Sequence, residues 1–248
     1  MKVVYHGSSV SKQDIIKKRK TIHGEYVYAT NNKIIAILTS HECESEFTYS
    51  LGKDNKNGPY HLIERIPGAF DIMYKSSAFI YTLDGSNFKN MDTSLNQVVS
   101  NVEEPVLGEE KIENLSKVIR NLEKENALKV YRHPSKPDGF IRDNSDLIEK
   151  LAVDQDFETI RNRYITLLSY YPELLDKVND KLFSINKTFP GFDTNDLFNI
   201  IDYCIARYNQ DPHSEPFLKL KLDKFIKLYP IYFKNINLVD ICNKKQFK

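Results

Sequence analysis

The chain has 248 residues, 41% of them hydrophobic and 28% charged, an ordinary globular balance with room for one large domain or two small ones. Lysine plus arginine (35) nearly cancels aspartate plus glutamate (34), which excludes a strong overall field toward nucleic acid or anionic lipid and leaves only local patches. Cys43, Cys204 and Cys242 lie far apart and suggest neither a disulfide framework nor a zinc site, and no apolar run reaches the ~18–20 residues of a membrane span, so a reducing, cytoplasmic setting without a membrane partner is expected.

Residues 2–6 (KVVYH) read as a short buried strand that Gly7, Ser8 and Ser9 end in a turn. After the basic run Lys17 to Lys20, the β-branched and aromatic segment Glu25 to Thr30 predicts a second strand. Asn31 and Asn32 are capping candidates for a helix carrying Ile34, Ile35 and Leu38. From 60 to 112 the pattern predicts short, mostly antiparallel strands at His61 to Ile66, Phe70 to Tyr74, Ala78 to Leu83, Gln97 to Ser100 and part of Glu104 to Ile112, separated by turns such as Pro67-Gly68 and Asp84-Gly85-Ser86. Leu115, Val118, Ile119 and Leu122 share a helical face, and the Pro/Gly/Asp-rich stretch His133 to Gly139 marks a domain boundary.

Beyond residue 140 the period is helical. Phe157, Ile160, Tyr164, Leu167, Leu168 and Tyr171 form the clearest stripe; Leu174 to Leu182, Leu197 to Ile205 behind an Asp193/Thr194 cap, and Leu218 to Ile226 continue it. The expectation is α+β: a β-rich domain over 1–135 and an all-helical domain over 140–248 with bundle-like packing. The helical aromatics, Tyr164, Tyr171 and Phe198 among them, read as core packing.

Two segments carry chemistry: Tyr5-His6-Gly7-Ser8 at a strand end, and Tyr26-Val27-Tyr28-Ala29-Thr30 before a helix containing Ala36. Their spelling and order resemble the first two motifs of the ADP-ribosyltransferase superfamily, in its diphtheria-toxin-like His-Tyr-Glu branch that includes the poly(ADP-ribose) polymerases. The likeness covers roughly residues 1–112. It implies a split antiparallel β-sheet domain with NAD as substrate and ADP-ribose passing to an unidentified protein, nucleic-acid or small-molecule acceptor, the helical domain serving acceptor or partner recognition. By the same resemblance His6 bonds the adenosine ribose, the Gly7 backbone holds the nicotinamide amide, Ser8 contacts a ribose, Tyr28 stacks on the nicotinamide, and Thr30 and Ala36 complete the cofactor-binding set. Each role suits its residue type: imidazole donates and accepts, glycine admits close approach, and an aromatic face matches a cationic ring.

The family's third motif is a glutamate opening a later strand, and the matching stretch here is Gln97-Val98-Val99-Ser100. Glutamine bonds a ribose hydroxyl but cannot offset positive charge, so either Glu103 or Glu104 supplies the acid in another register, or the domain is slow, transfers by another arrangement, or only binds. Plainer roles stand beside these: a structural histidine at His6, a sheet-core tyrosine at Tyr26 or Tyr28, solvated strand-end charges at Glu103 and Glu104, and a solvated loop at Lys17 to Lys20. That basic run also suits a pyrophosphate or a nucleic-acid target. The remaining histidines, His23 among them, have no ligand spacing, and no P-loop, GxGxxG, HExxH or nucleophile elbow is present.

Overall fold

A computed structural model describes residues 2–21, 24–41, 47–53, 58–91, 95–152 and 156–234. Cys43, Cys242 and His23 lie outside the described residues, and Cys204 is buried. The fold is mixed α+β, with 41% of the described residues in helices and 25% in strands, and the chain divides into two compact units, Met1–Glu64 with Phe70–Pro134, and Arg65–Ala69 with Ser135–Lys248. Among the described residues no helix is long and apolar enough to cross a membrane.

The first unit holds, in chain order, β1 (Val3–Ser8), β2 (Ile15–Ile16), β3 (Arg19–Thr21), β4 (Gly24–Thr30), α1 (Lys33–Leu38), β5 (Tyr49–Lys53), β6 (Tyr60–Glu64), α2 (Ala69–Met73), β7 (Ala78–Asp84), β8 (Lys89–Asn90), β9 (Gln97–Ser100), β10 (Glu104–Ile112), α3 (Leu115–Lys124) and β11 (Leu128–Tyr131). The larger sheet runs β2-β10-β7-β1-β4-β9-β8 with β3 on β4, and every pairing in it is antiparallel. Alternation buries one face of it: Val4, Val27, Ala29, Tyr81, Leu83 and Val98 pack with Ile16 and Phe88. On the other face Gly7 meets α1, because a Cβ at Gly7 would lie 2.0 Å from the Ala36 carbonyl oxygen. Asn32 starts α1, its Oδ1 accepting from Ile34 N–H at 2.8 Å.

Three sequence expectations change. The first strand runs through Gly7 and Ser8, which pair with Ile80 and Phe79 of β7; glycine is tolerated there because the sheet needs the bare backbone against α1. The expected strand Phe70 to Tyr74 is instead the helix Ala69–Met73 and the turn at Tyr74 that ends it, since Phe70, Met73 and Tyr74 are buried at i, i+3, i+4 spacing and the Glu64 carboxylate accepts from Phe70 N–H at 3.0 Å. The small sheet β11-β6-β5 contains a parallel pair, β6 with β11, that local pattern did not indicate.

The second unit is helical: α4 (Asp146–Leu151), α5 (Phe157–Tyr170), α6 (Leu175–Ile185), α7 (Thr194–Gln210) and α8 (Leu218–Leu228). The stripe Ile160, Tyr164, Leu167 and Leu168 is buried with Val178, Leu182, Leu197, Ile201, Leu222 and Phe225 of the other helices. A reciprocal capping box opens α7, Asp193 accepting from Asp196 N–H and Asp196 from Asp193 N–H, both at 2.9 Å. Arg65, outside the helical stretch of sequence, belongs here. Its fully buried guanidinium bonds Asp146 at 2.9 and 2.7 Å and Asn144 at 2.9 Å, and lies over the Phe140 ring.

Candidate functional site

The centre of the larger sheet is not a continuous ladder. β1 and β4 share a single register pair, Tyr5 with Thr30. Beyond it β1 continues to Ser8 on β7, while β4 runs back to Gly24 on β9 and β3. The ladder is therefore broken between His6–Ser8 and the facing part of β4, which leaves an opening in the strand pairing there.

The His6 ring spans that opening, with Nδ1 2.7 Å from the main-chain oxygen of Tyr28. A carbonyl only accepts, so Nδ1 carries the proton and Nε2 is left as an acceptor. Burial lowers the His6 pKa from its ordinary value, against the raising effect of the Tyr28 carbonyl, which keeps the imidazole neutral near pH 7. It can then take a hydroxyl hydrogen at Nε2.

Alternation sets which groups border the opening from each side. His6 pairs with Tyr81 and Ser8 with Phe79, on the Val4 face, and the His6 and Tyr81 ring centroids are 6.4 Å apart. Tyr28 pairs with Val99, and Thr30 with Gln97, so Tyr28 and Gln97 are diagonal neighbours on the opposite face, that of Gly7. The structure thus joins His6 to the main chain of Tyr28 and not to its ring. The Tyr28 hydroxyl is anchored by Thr21 Oγ1 and reaches the Gly24 carbonyl at 3.4 Å, and its ring meets that of Tyr26 edge-on at 6.1 Å. Fixed at its tip, Tyr28 offers a ring whose orientation is set before anything binds.

Other residues named from the sequence have different duties. Thr30 is buried; its hydroxyl donates to Asn96 O at 3.2 Å and accepts from Asn32 N–H at 3.1 Å, so it secures the strand-to-helix turn. Ala36 is buried and presses its carbonyl toward Gly7, a packing role with no exposed surface for a ligand. Ser8 Oγ accepts from Val10 N–H and Gln13 Nε2, both at 3.0 Å, and retains its own hydrogen to donate. Gln97 is half-buried and directly opposite Thr30. Glu103 is exposed immediately before β10. Glu104 is buried at the start of β10 and takes the Ser100 hydroxyl hydrogen; Ser100 pairs with Val27, so this carboxylate serves the core face and not the Tyr28 face. Neither glutamate replaces Gln97 in the row beside Tyr28.

Sequence reading missed the group around His6. Tyr81 donates its hydroxyl to Val10 O at 2.7 Å or Glu109 Oε2 at 2.9 Å, and Glu109 also accepts Lys12 N–H at 2.7 Å. Burial and then the Glu109 carboxylate raise the Tyr81 pKa above its ordinary value, so the phenol stays a donor. Together they pin the loop after β1 beside His6. Only the pairing of His6 with Tyr81 across β1 and β7 reveals this, and no local motif encodes a register. Among the described residues no cluster of three or more His, Cys, Asp or Glu is arranged to hold a metal. No protein-family model, curated protein or solved structure matches this chain.

Proposed function

We propose that the opening between β1 and β4 binds NAD and that the protein transfers ADP-ribose from it to an acceptor, releasing nicotinamide. The observation that carries the reading is the His6 imidazole bridging two strands that have parted, bonded through Nδ1 to the Tyr28 carbonyl at 2.7 Å. Neutral His6 offers Nε2 to a ribose hydroxyl. Gly7 brings bare backbone to the edge of the opening. Tyr28, held at its hydroxyl by Thr21, supplies an oriented aromatic face for a cationic pyridinium. The protein's contribution is orientation of the glycosidic bond and support of the ribosyl cation as that bond breaks.

Gln97 favours a second reading, an NAD-binding module with little turnover. Its amide bonds a ribose hydroxyl but carries no charge, and a unit charge at ~5 Å and an effective dielectric of ~20 is worth about 3 kcal/mol, roughly a hundredfold in rate. Nicotinamide release from NAD, followed for the wild type and for His6→Ala, Tyr28→Ala and Gln97→Glu, separates these readings. Transferase activity predicts release that both alanine variants abolish and that Gln97→Glu raises about a hundredfold. Binding without release in the wild type selects the module. Release indifferent to His6 and Tyr28 overturns both.

A further inference from the structure

Next to Tyr28 the same half of the sheet carries a second recess. A cavity of about 440 Å³ is lined by Tyr26, Asn87, Lys89, Asn90, Ser100 and Asn101. Tyr26 forms both its wall and the edge-on contact with Tyr28 at 6.1 Å, so whatever fills the cavity lies one ring away from the Tyr28 face. Across β4 on the other side, Arg19 of β3 is the register partner of Tyr26. Lys17, Lys18, Arg19 and Lys20 are all exposed, and none of Lys17, Lys18, Lys20 and Lys89 makes an ion pair within the described residues. Glu25, opposite Lys20, is the carboxylate nearest in register. The molecule as a whole is almost neutral, so this concentration of cations is local.

We propose that this surface binds single-stranded nucleic acid, with the phosphates on the Lys17 to Lys20 strip and one unstacked base in the cavity beside Tyr26. The residue types divide the work. Exposed cationic side chains along one short segment match a phosphate backbone and release its counterions. A tyrosine face stacks on any base, and amide side chains pair with the donor and acceptor edges that an unstacked base exposes. A base still stacked and paired in a duplex cannot turn its face to the Tyr26 ring, so an unpaired strand is the form that fits.

Resting on the reading of the opening as an NAD site, the bound base is also the acceptor. The bond from ribose C1″ to nicotinamide breaks with its electron pair leaving on nicotinamide, a nitrogen of the base forms the new bond to C1″, and the hydrogen which that nitrogen loses goes to water as a proton.

Fluorescence anisotropy with a labelled single-stranded DNA of about a dozen nucleotides, without NAD, tests the binding apart from the chemistry. Three neutralised phosphates predict a slope of log K on log salt of about −2, a loss of roughly fifteenfold between about 50 and 200 mM salt. The triple variant Lys17→Glu/Lys18→Glu/Lys20→Glu, whose changes are all exposed, is expected to lose binding and the salt slope while retaining NAD binding by calorimetry. Tyr26→Leu is expected to weaken binding about tenfold with the slope kept. Absence of oligonucleotide binding by the wild type, or equal binding by the triple variant, overturns the proposal. Loss of NAD binding with intact oligonucleotide binding in the triple variant also overturns it, assigning the strip to the NAD pyrophosphate. If the wild type binds the oligonucleotide but not NAD, the surface stands and the NAD reading fails. Mass spectrometry of the oligonucleotide after incubation with protein and NAD then reports the acceptor step, expected as the gain of one ADP-ribose; an unmodified oligonucleotide alongside nicotinamide release overturns that step.

Discussion

His6 is held in its neutral form by burial, and its one donor is committed to the Tyr28 carbonyl. Because its pKa in the folded protein lies below the unfolded value of about 6.5, the unfolded chain binds more protons between the two values. The stability linked to this residue is therefore fully present above about pH 6.5 and is lost as pH falls through the folded pKa. Urea midpoints measured on either side of about pH 6.5 should drop on acidification more for the wild type than for His6→Gln. Equal drops would mean that the imidazole is no more buried than in the unfolded chain. At the same scale, Glu104 illustrates how a carboxylate near the expected sequence position is disqualified by its partner: with Ser100 on the core face, it is a structural acceptor.

At the level of elements the opening depends on how closely α1 and β1 approach. A Cβ on Gly7 would stand 2.0 Å from the Ala36 carbonyl oxygen and 2.9 Å from Ser40 Cβ, so Gly7→Ala must push helix and strand apart. Such overpacking predicts a loss of about 3 kcal/mol by denaturant unfolding, whereas Gly52→Ala in β5, with nothing within 4 Å of the added carbon, should stay within about 0.5 kcal/mol. Similar effects at the two sites would contradict the close approach. The elements legible in the sequence are those specified locally: β4 by its β-branched and aromatic residues, α1 and α7 by Asn32 and Asp193 at their starts, α5 by its stripe. What was not legible depends on partners distant in sequence. Phe70 to Tyr74 is apolar enough for a strand and becomes helix with a closing turn because Glu64 takes its first N–H and three of its side chains share one buried face. Gly7 reads as a turn and is a strand residue because β7 and α1 both need it. The residue types His6 and Tyr28 were readable as a pair, but alternation turns their side chains to different faces, and only the parting of β1 from β4 relates them.

For the whole molecule, the division into units does not follow the chain simply, since Arg65–Ala69 belongs with the helices. Arg65 is buried and gives both ends of its guanidinium to Asp146, with Asn144 as a further acceptor. Arg65→Ala leaves these groups without their partner and predicts a loss of about 3–5 kcal/mol in the helical unit, read as an earlier urea transition in far-ultraviolet circular dichroism; a change under about 1 kcal/mol would show the pair to be solvated. The central claim concerns the other unit, where we propose that the break between β1 and β4 is a dinucleotide site. Amide hydrogen exchange with and without saturating NAD tests it most directly, because it locates binding whether or not turnover follows. The account predicts slower exchange in Val3–Ser8 and Gly24–Thr30, lost in Tyr28→Ala; unchanged exchange in both strands, or protection confined to the helical unit, would contradict it.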